Sequence, residues 1–163
     1  MLNKKILDLA KKYEEYVISM RRTFHKYPEL SGVEFKTREL LIKELESMNI
    51  PYRLLSGTGI IATIEGKNPG KNVLLRADID ALPVLEEKNN LKQEKLCVSE
   101  IDGVCHACGH DAHMAILLGA MKVLKEIQNE LSGTVYCCFE EGEETNCGIE
   151  TMMEALNDYH IDK

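Results

Sequence analysis

The chain has 163 residues, with 20 Lys and Arg against 27 Asp and Glu, and so a net charge of −7 at neutral pH. That length fits roughly one domain, and the acidic balance excludes the basic stripe that a nucleic-acid backbone binder needs. No apolar run approaches the roughly 18 residues of a membrane span, and no membrane partner is expected. The N-terminus turns from basic to amphipathic within a few residues, unlike a signal peptide. Six cysteines without a secretory signal fit a reducing cytoplasm, where clustered Cys and His more often mean metal or catalysis than disulfides.

Leu2, Ile6, Leu9, Tyr13, Tyr16, Met20 and Phe24 recur at steps of three and four, which predicts one amphipathic helix. After the punctuation of Pro28, Ser31 and Gly32, a second helix is expected over 33–48, with Leu40, Leu41 and Leu45 inward. The period then changes. Segments 52–55, 59–65 and 72–80 read as short strands separated by Ser-Gly-Thr-Gly and Asn-Pro-Gly turns. Residues 86–104 are polar and irregular and read as a loop. A helix is expected over 111–128, buried at its start; a strand over 134–140 and a helix over 149–156 follow. Strands separated by helices indicate an α/β domain with a mixed or mainly parallel sheet.

Three clusters carry chemistry, each at the predicted end of a strand or start of a helix. In Arg76-Ala77-Asp78-Ile79-Asp80 two carboxylates emerge where a buried strand runs out. They serve either as a capped polar terminus or as groups that orient or bridge a divalent cation. Cys105-His106-Ala107-Cys108-Gly109-His110-Asp111-Ala112-His113 packs thiols and imidazoles beside a helix start, and these are strong ligands for zinc-like metals. Cys105 and Cys108 alternatively form a thiol–disulfide redox pair, or half of a structural zinc site for which no second Cys pair follows. Glu140-Glu141-Gly142-Glu143-Glu144 is, taken alone, a solvated acidic turn. Beside a metal, adjacent carboxylates split roles, one binding the ion and one taking a proton from water.

These segments, with Met20-Arg21-Arg22-Thr23-Phe24-His25-Lys26-Tyr27-Pro28-Glu29-Leu30-Ser31 ahead of them, resemble in order the signatures of the N-acyl-amino-acid amidohydrolases. This branch of the aminoacylase/carboxypeptidase metallopeptidases includes hippurate hydrolase and the indole-acetyl-amino-acid hydrolases. The resemblance implies a three-layer zinc-exopeptidase-like domain, with a mixed, largely parallel sheet and the motifs at the carboxyl ends of its strands. It implies that Cys108, His110 and Glu144 ligate a two-ion centre, zinc or manganese first, with cobalt or nickel as further options. Glu143 becomes the general base and Asp80 the partner that orients a ligand. Asp78, His113, His106 and His25 are left as supporting groups. Glu140-Glu141-Gly142 departs from the branch's usual Gln-Pro-Ala and adds negative charge beside the paired glutamates.

Family members are much longer, with further His ligands and an inserted dimerisation domain. The 163 residues are therefore expected to be the N-terminal part of a catalytic domain. The implied whole enzyme is a cytoplasmic homodimer that cleaves N-acyl amino acids or small peptides. The shorter chain alone is expected to be inactive, either an incomplete enzyme or a metal-binding fragment.

Overall fold

Apolar residues on both faces mark the two inner strands. Strand β2 (Ile60–Glu65) follows β1 (Tyr52–Leu54) and buries Ile60, Ile61, Ala62 and Ile64. After β3 (Val73–Asp78), strand β4 (Thr134–Glu140) buries Cys137, Cys138 and Phe139. Strands covered on both faces read as such continuous runs. A computed structural model describes residues 2–163 and joins these strands in one sheet of order β1-β2-β4-β3.

Helices cover both faces of the sheet. On one side lie α1 (Leu2–Lys12), α2 (Glu14–Lys26), α3 (Phe35–Ser47) and α4 (His110–Glu126). There Met20, Phe24, Leu41, Leu45, Met114, Leu118 and Met121 pack on Ile60, Ala62, Ile64, Ala77, Cys137 and Phe139. On the other side α5 (Ile149–Leu156) brings Met152 and Ala155 onto Ile61, Cys138 and Leu55. The result is the expected three-layer α/β arrangement with a mixed sheet.

Two expectations need correction. The sheet is not largely parallel: β1–β2 and β2–β4 are antiparallel, and β3–β4 is the one parallel pair among the described residues. The reason is connection length. Residues 55–59 close a tight hairpin, whereas β3 reaches β4 through the long crossover that contains α4, and parallel pairing needs such a crossover. The single N-terminal helix is two, divided at Tyr13 (φ −98°, ψ 6°). Tyr13 still donates to Leu9 O and accepts from Val17 N, so the apolar face runs on through the break and periodicity does not register it.

The end of the sheet opposite the candidate site is closed by backbone contacts. Gly66 N donates to Gly133 O at 2.9 Å and Gly133 N to Asn68 O at 2.8 Å. Gly133 has φ +82°, and a Cβ there would collide with the Lys71 carbonyl. Gly133→Ala is expected to cost at least about 1–2 kcal/mol from the left-handed conformation alone, with the collision added. Urea denaturation checks it; an unchanged midpoint would show that the backbones do not approach this closely.

A candidate metal centre at the carboxyl ends of the parallel strands

Because β3 and β4 are parallel with Asp78 opposite Glu140, both strands end at one edge of the sheet. Asp80 lies just beyond β3. Beyond β4, Gly142 (φ 61°) turns the chain into a single 3-10 turn, Glu143–Thr145. Gly109 (φ 86°) precedes α4 and ends the 79–109 loop there, leaving Cys108 exposed and His110 buried at the first helical position. Three segments remote in sequence thus meet at one point.

Asp80 is fully buried and holds the others in place. Its Oδ2 accepts from Ser31 Oγ at 2.7 Å and from Glu144 N at 3.0 Å. His110 Nδ1 lies 2.9 Å from the Asp80 carbonyl and 3.2 Å from Oδ1. Burial pushes the Asp80 carboxyl up, but the hydrogen bonds from His110, Ser31 and the Glu144 amide prevail and lower it. For His110, burial lowers the pKa, yet the Asp80 hydrogen bonds and the charges of Asp78 and Asp80 raise it to about 9. With Nδ1 engaged, Nε2 faces outward, the arrangement by which a carboxylate orients a ligating imidazole.

Around that Nε2 lie three carboxylate oxygens: Asp78 Oδ2 at 3.8 Å, Glu143 Oε2 at 3.8 Å and Glu144 Oε1 at 3.9 Å. These separations are too long for hydrogen bonds but suit donors each about 2.0–2.2 Å from a shared cation. Glu144 Oε1 is buried and has no hydrogen-bond partner among the described residues, an arrangement costly without a cation. The donors converge in two groups: His110 with Glu143 and Glu144, and His110 with Asp78 and His113. Imidazole and carboxylate together fit a divalent transition metal.

His110, Glu143, Glu144 and Asp80 are thus brought together as the motifs suggested. Cys108 reaches the edge of the site: its thiol is raised, first by a hydrogen bond to Glu144, but it does not join either converging group. Asp78 and His113 stand closer than the motif reading placed them, with His113 Nδ1 3.5 Å from Asp78 Oδ2. The signal was available, since His110 and His113 are one helical turn apart and share a face. His25 lies in support, buried between Asp111 at 2.8 Å and Glu86 at 3.1 Å. His106 is buried without a partner on either ring nitrogen, and burial pushes its pKa down to about 4. The added charges of Glu140 and Glu141 point elsewhere: Glu140 pairs with Arg76 at 2.8 Å, and Glu141 accepts from Thr58 and from Gly59 N.

The sequence pattern of peptidase family M20/M25/M40 matches residues 74–163. The chain belongs to this family. It is 43% identical over 142 residues to the N-acetyl-L-cysteine deacetylase of Bacillus subtilis, covering 86% of this chain and 33% of that protein. It is 41% identical over 155 residues to the IAA-amino acid hydrolase ILR1-like 5 of Arabidopsis thaliana, covering 93% and 34% respectively. The crystal structure of the Bacillus subtilis YXEP protein, described as a dinuclear metal-binding peptidase of the M20 family, superposes with a TM-score of 0.82. The identity there is 37%, covering 93% of this chain and 42% of that one. The chain spans about a third of the length of the curated relatives it matches.

A cation must displace the proton that this site holds on His110, so affinity rises with pH up to about 9. Below that value each released proton contributes about a tenfold gain per pH unit. Titration calorimetry with Mn²⁺ in buffers of different ionisation enthalpy counts those protons. If Cys108 ligates, its raised thiol adds a second proton, and Cys108→Ser removes it. Affinity that does not vary with pH would exclude His110 as a ligand.

Proposed function

We propose that the protein to which these residues belong hydrolyses the amide bond between an acyl group and an amino acid, or a small peptide bond, using a metal-activated water. The observation that carries the reading is the convergence of His110, Glu143 and Glu144 on one point, with Asp80 behind His110. Family membership and the deacetylase and amino acid hydrolase names of similar proteins support it. His110, Glu144 and Cys108 are the residues to hold the ions, with Asp78 and His113 placed to assist. Bound divalent ions supply Lewis acidity, which lowers the pKa of water and stabilises charge on the attacked carbonyl.

The two glutamates divide the remaining work by exposure. The Glu144 side chain is 16% exposed and ends in an unpaired buried oxygen, as suits a ligand. That of Glu143 is 40% exposed and within reach of solvent and substrate. Glu143 takes a proton from the attacking water and returns it to the leaving amine. Asp80 keeps His110 in one tautomer and anchors the Glu144 amide. The thiol–disulfide reading finds no support: burial raises the Cys105 thiol and the Glu144 contact raises Cys108, whereas redox cysteines need depressed values.

Zinc and manganese are the first choices of ion, with cobalt and nickel behind them. The family resemblance supports a cytoplasmic location and a homodimer. Residues 1–163 are the N-terminal part of the catalytic domain and supply a partial ligand set, so alone they bind metal weakly and do not turn over substrate. In the full-length protein, Glu143→Gln is expected to keep its metal content and lose roughly 10²- to 10⁴-fold in kcat on an N-acyl amino acid. Elemental analysis beside the assay checks this. Undiminished turnover would remove Glu143 from the role, and full activity in the presence of chelator would remove the metal.

A further inference from the structure

The turn that carries Glu143 and Glu144 is held at two points, one of which belongs to no motif described above. Glu144 N is fixed by Asp80. Gly142 N, just before the turn, donates to Glu34 Oε1 at 2.9 Å. Glu34 is fully buried. Its Oε1 also accepts from Gly32 N at 2.9 Å, and its Oε2 lies 2.6 Å from Thr58 Oγ1. Thr58 Oγ1 is in turn 2.9 Å from Glu141 Oε2, which also accepts from Gly59 N at 2.8 Å. Glu34 therefore joins the 30–34 loop, the β1–β2 hairpin and the turn after β4, with no ion pair to a cation among the described residues.

We propose that Glu34 is a positioning residue: it fixes the backbone of the Glu143–Glu144 turn through Gly142 N and so sets where those two carboxylates meet His110. The inference rests on the reading of Glu144 as a ligand and Glu143 as the base. Gly142 has a left-handed φ and no side chain to pack, so nothing intrinsic to it fixes the turn. A buried amide left without its acceptor would also carry a desolvation cost. Ser31, from the same loop, bonds Asp80. One segment thus holds the two anchors of the turn.

The hydrogen count makes the role specific. Thr58 has one hydroxyl proton for two flanking carboxylate oxygens, Glu34 Oε2 and Glu141 Oε2. A carboxamide at position 34 completes the set: its oxygen accepts from Gly32 N and Gly142 N, its NH₂ donates to Thr58 Oγ1, and the hydroxyl serves Glu141. What position 34 must supply is an acceptor of the right length, not a charge. Glu34→Asp retains the carboxyl group but falls one methylene short of Gly142.

The test is a Co²⁺ titration by calorimetry of the full-length protein and of its Glu34→Gln, Glu34→Asp, Glu34→Ala and Glu144→Gln variants, with thermal midpoints alongside. Glu34→Asp and Glu34→Ala are expected to weaken binding roughly 10- to 100-fold, the usual effect of losing support behind a ligand. Glu34→Gln is expected to restore affinity and to melt no lower than the wild type. Weakening by Glu34→Gln equal to that by Glu34→Ala overturns the proposal, as does unchanged affinity in Glu34→Asp and Glu34→Ala. Unchanged affinity in Glu144→Gln instead overturns the ligand assignment. If the Asp and Ala variants do not fold, amide hydrogen exchange in the wild type decides: a protected Gly142 supports the clamp and rapid exchange refutes it.

Discussion

Asp80 is the constraint on which the site depends. A carboxylate with no exposed surface is costly unless its oxygens are engaged, and here its partners come from three places: Ser31 from the loop before α3, Glu144 N from the turn after β4, and His110 from the start of α4. Each partner satisfies part of the buried charge, and in doing so is fixed in place. The same hydrogen bonds turn His110 Nε2 toward Asp78, Glu143 and Glu144. Satisfying Asp80 and assembling the candidate metal centre are one event.

The sheet makes that assembly possible. The parallel pairing of β3 with β4 brings two carboxylate-rich strand ends to the same edge, and the crossover between them delivers the N-terminus of α4 to the same place. The antiparallel pairs contribute the opposite: the β1–β2 hairpin supplies Thr58 and Gly59, which hold Glu141. At the far end, Gly66 after β2 and Gly133 before β4 bring their backbones together without side chains. One end of the sheet is committed to stability and the other to bringing polar groups together, as open α/β sheets generally arrange.

The acidic turn after β4 would be a solvated surface feature in another context. Here its four glutamates divide. Glu140 is neutralised by Arg76, Glu141 is anchored inward on the β1–β2 hairpin, and Glu143 and Glu144 face His110. The last two bring like charges to one point, where they repel. A divalent cation bound between Glu143, Glu144 and His110 would offset that repulsion, and the Glu144 oxygen without a partner among the described residues faces the same point.

Much of this was legible in the sequence. Strands 134–140 and 60–65 and helix 149–156 follow from local apolar pattern, because burial on both faces leaves a continuous apolar run and burial on one face leaves a period in the residues themselves. The Cys and His residues clustered over 105–113 pointed to a metal, and the resemblance supplied the order of motifs that links them to Asp80, Glu143 and Glu144. The sequence did not reveal that two of the three strand pairings are antiparallel, that Asp78 and His113 crowd the same imidazole, or that Glu34 accepts from the backbone of the turn after β4 from 108 residues away. Periodicity reports which face of an element is buried, but not which element lies across it. Nothing in the sequence singles out Glu34 at the start of the helix expected over 33–48, and only the three segments folded around it turn its carboxylate into a buried acceptor.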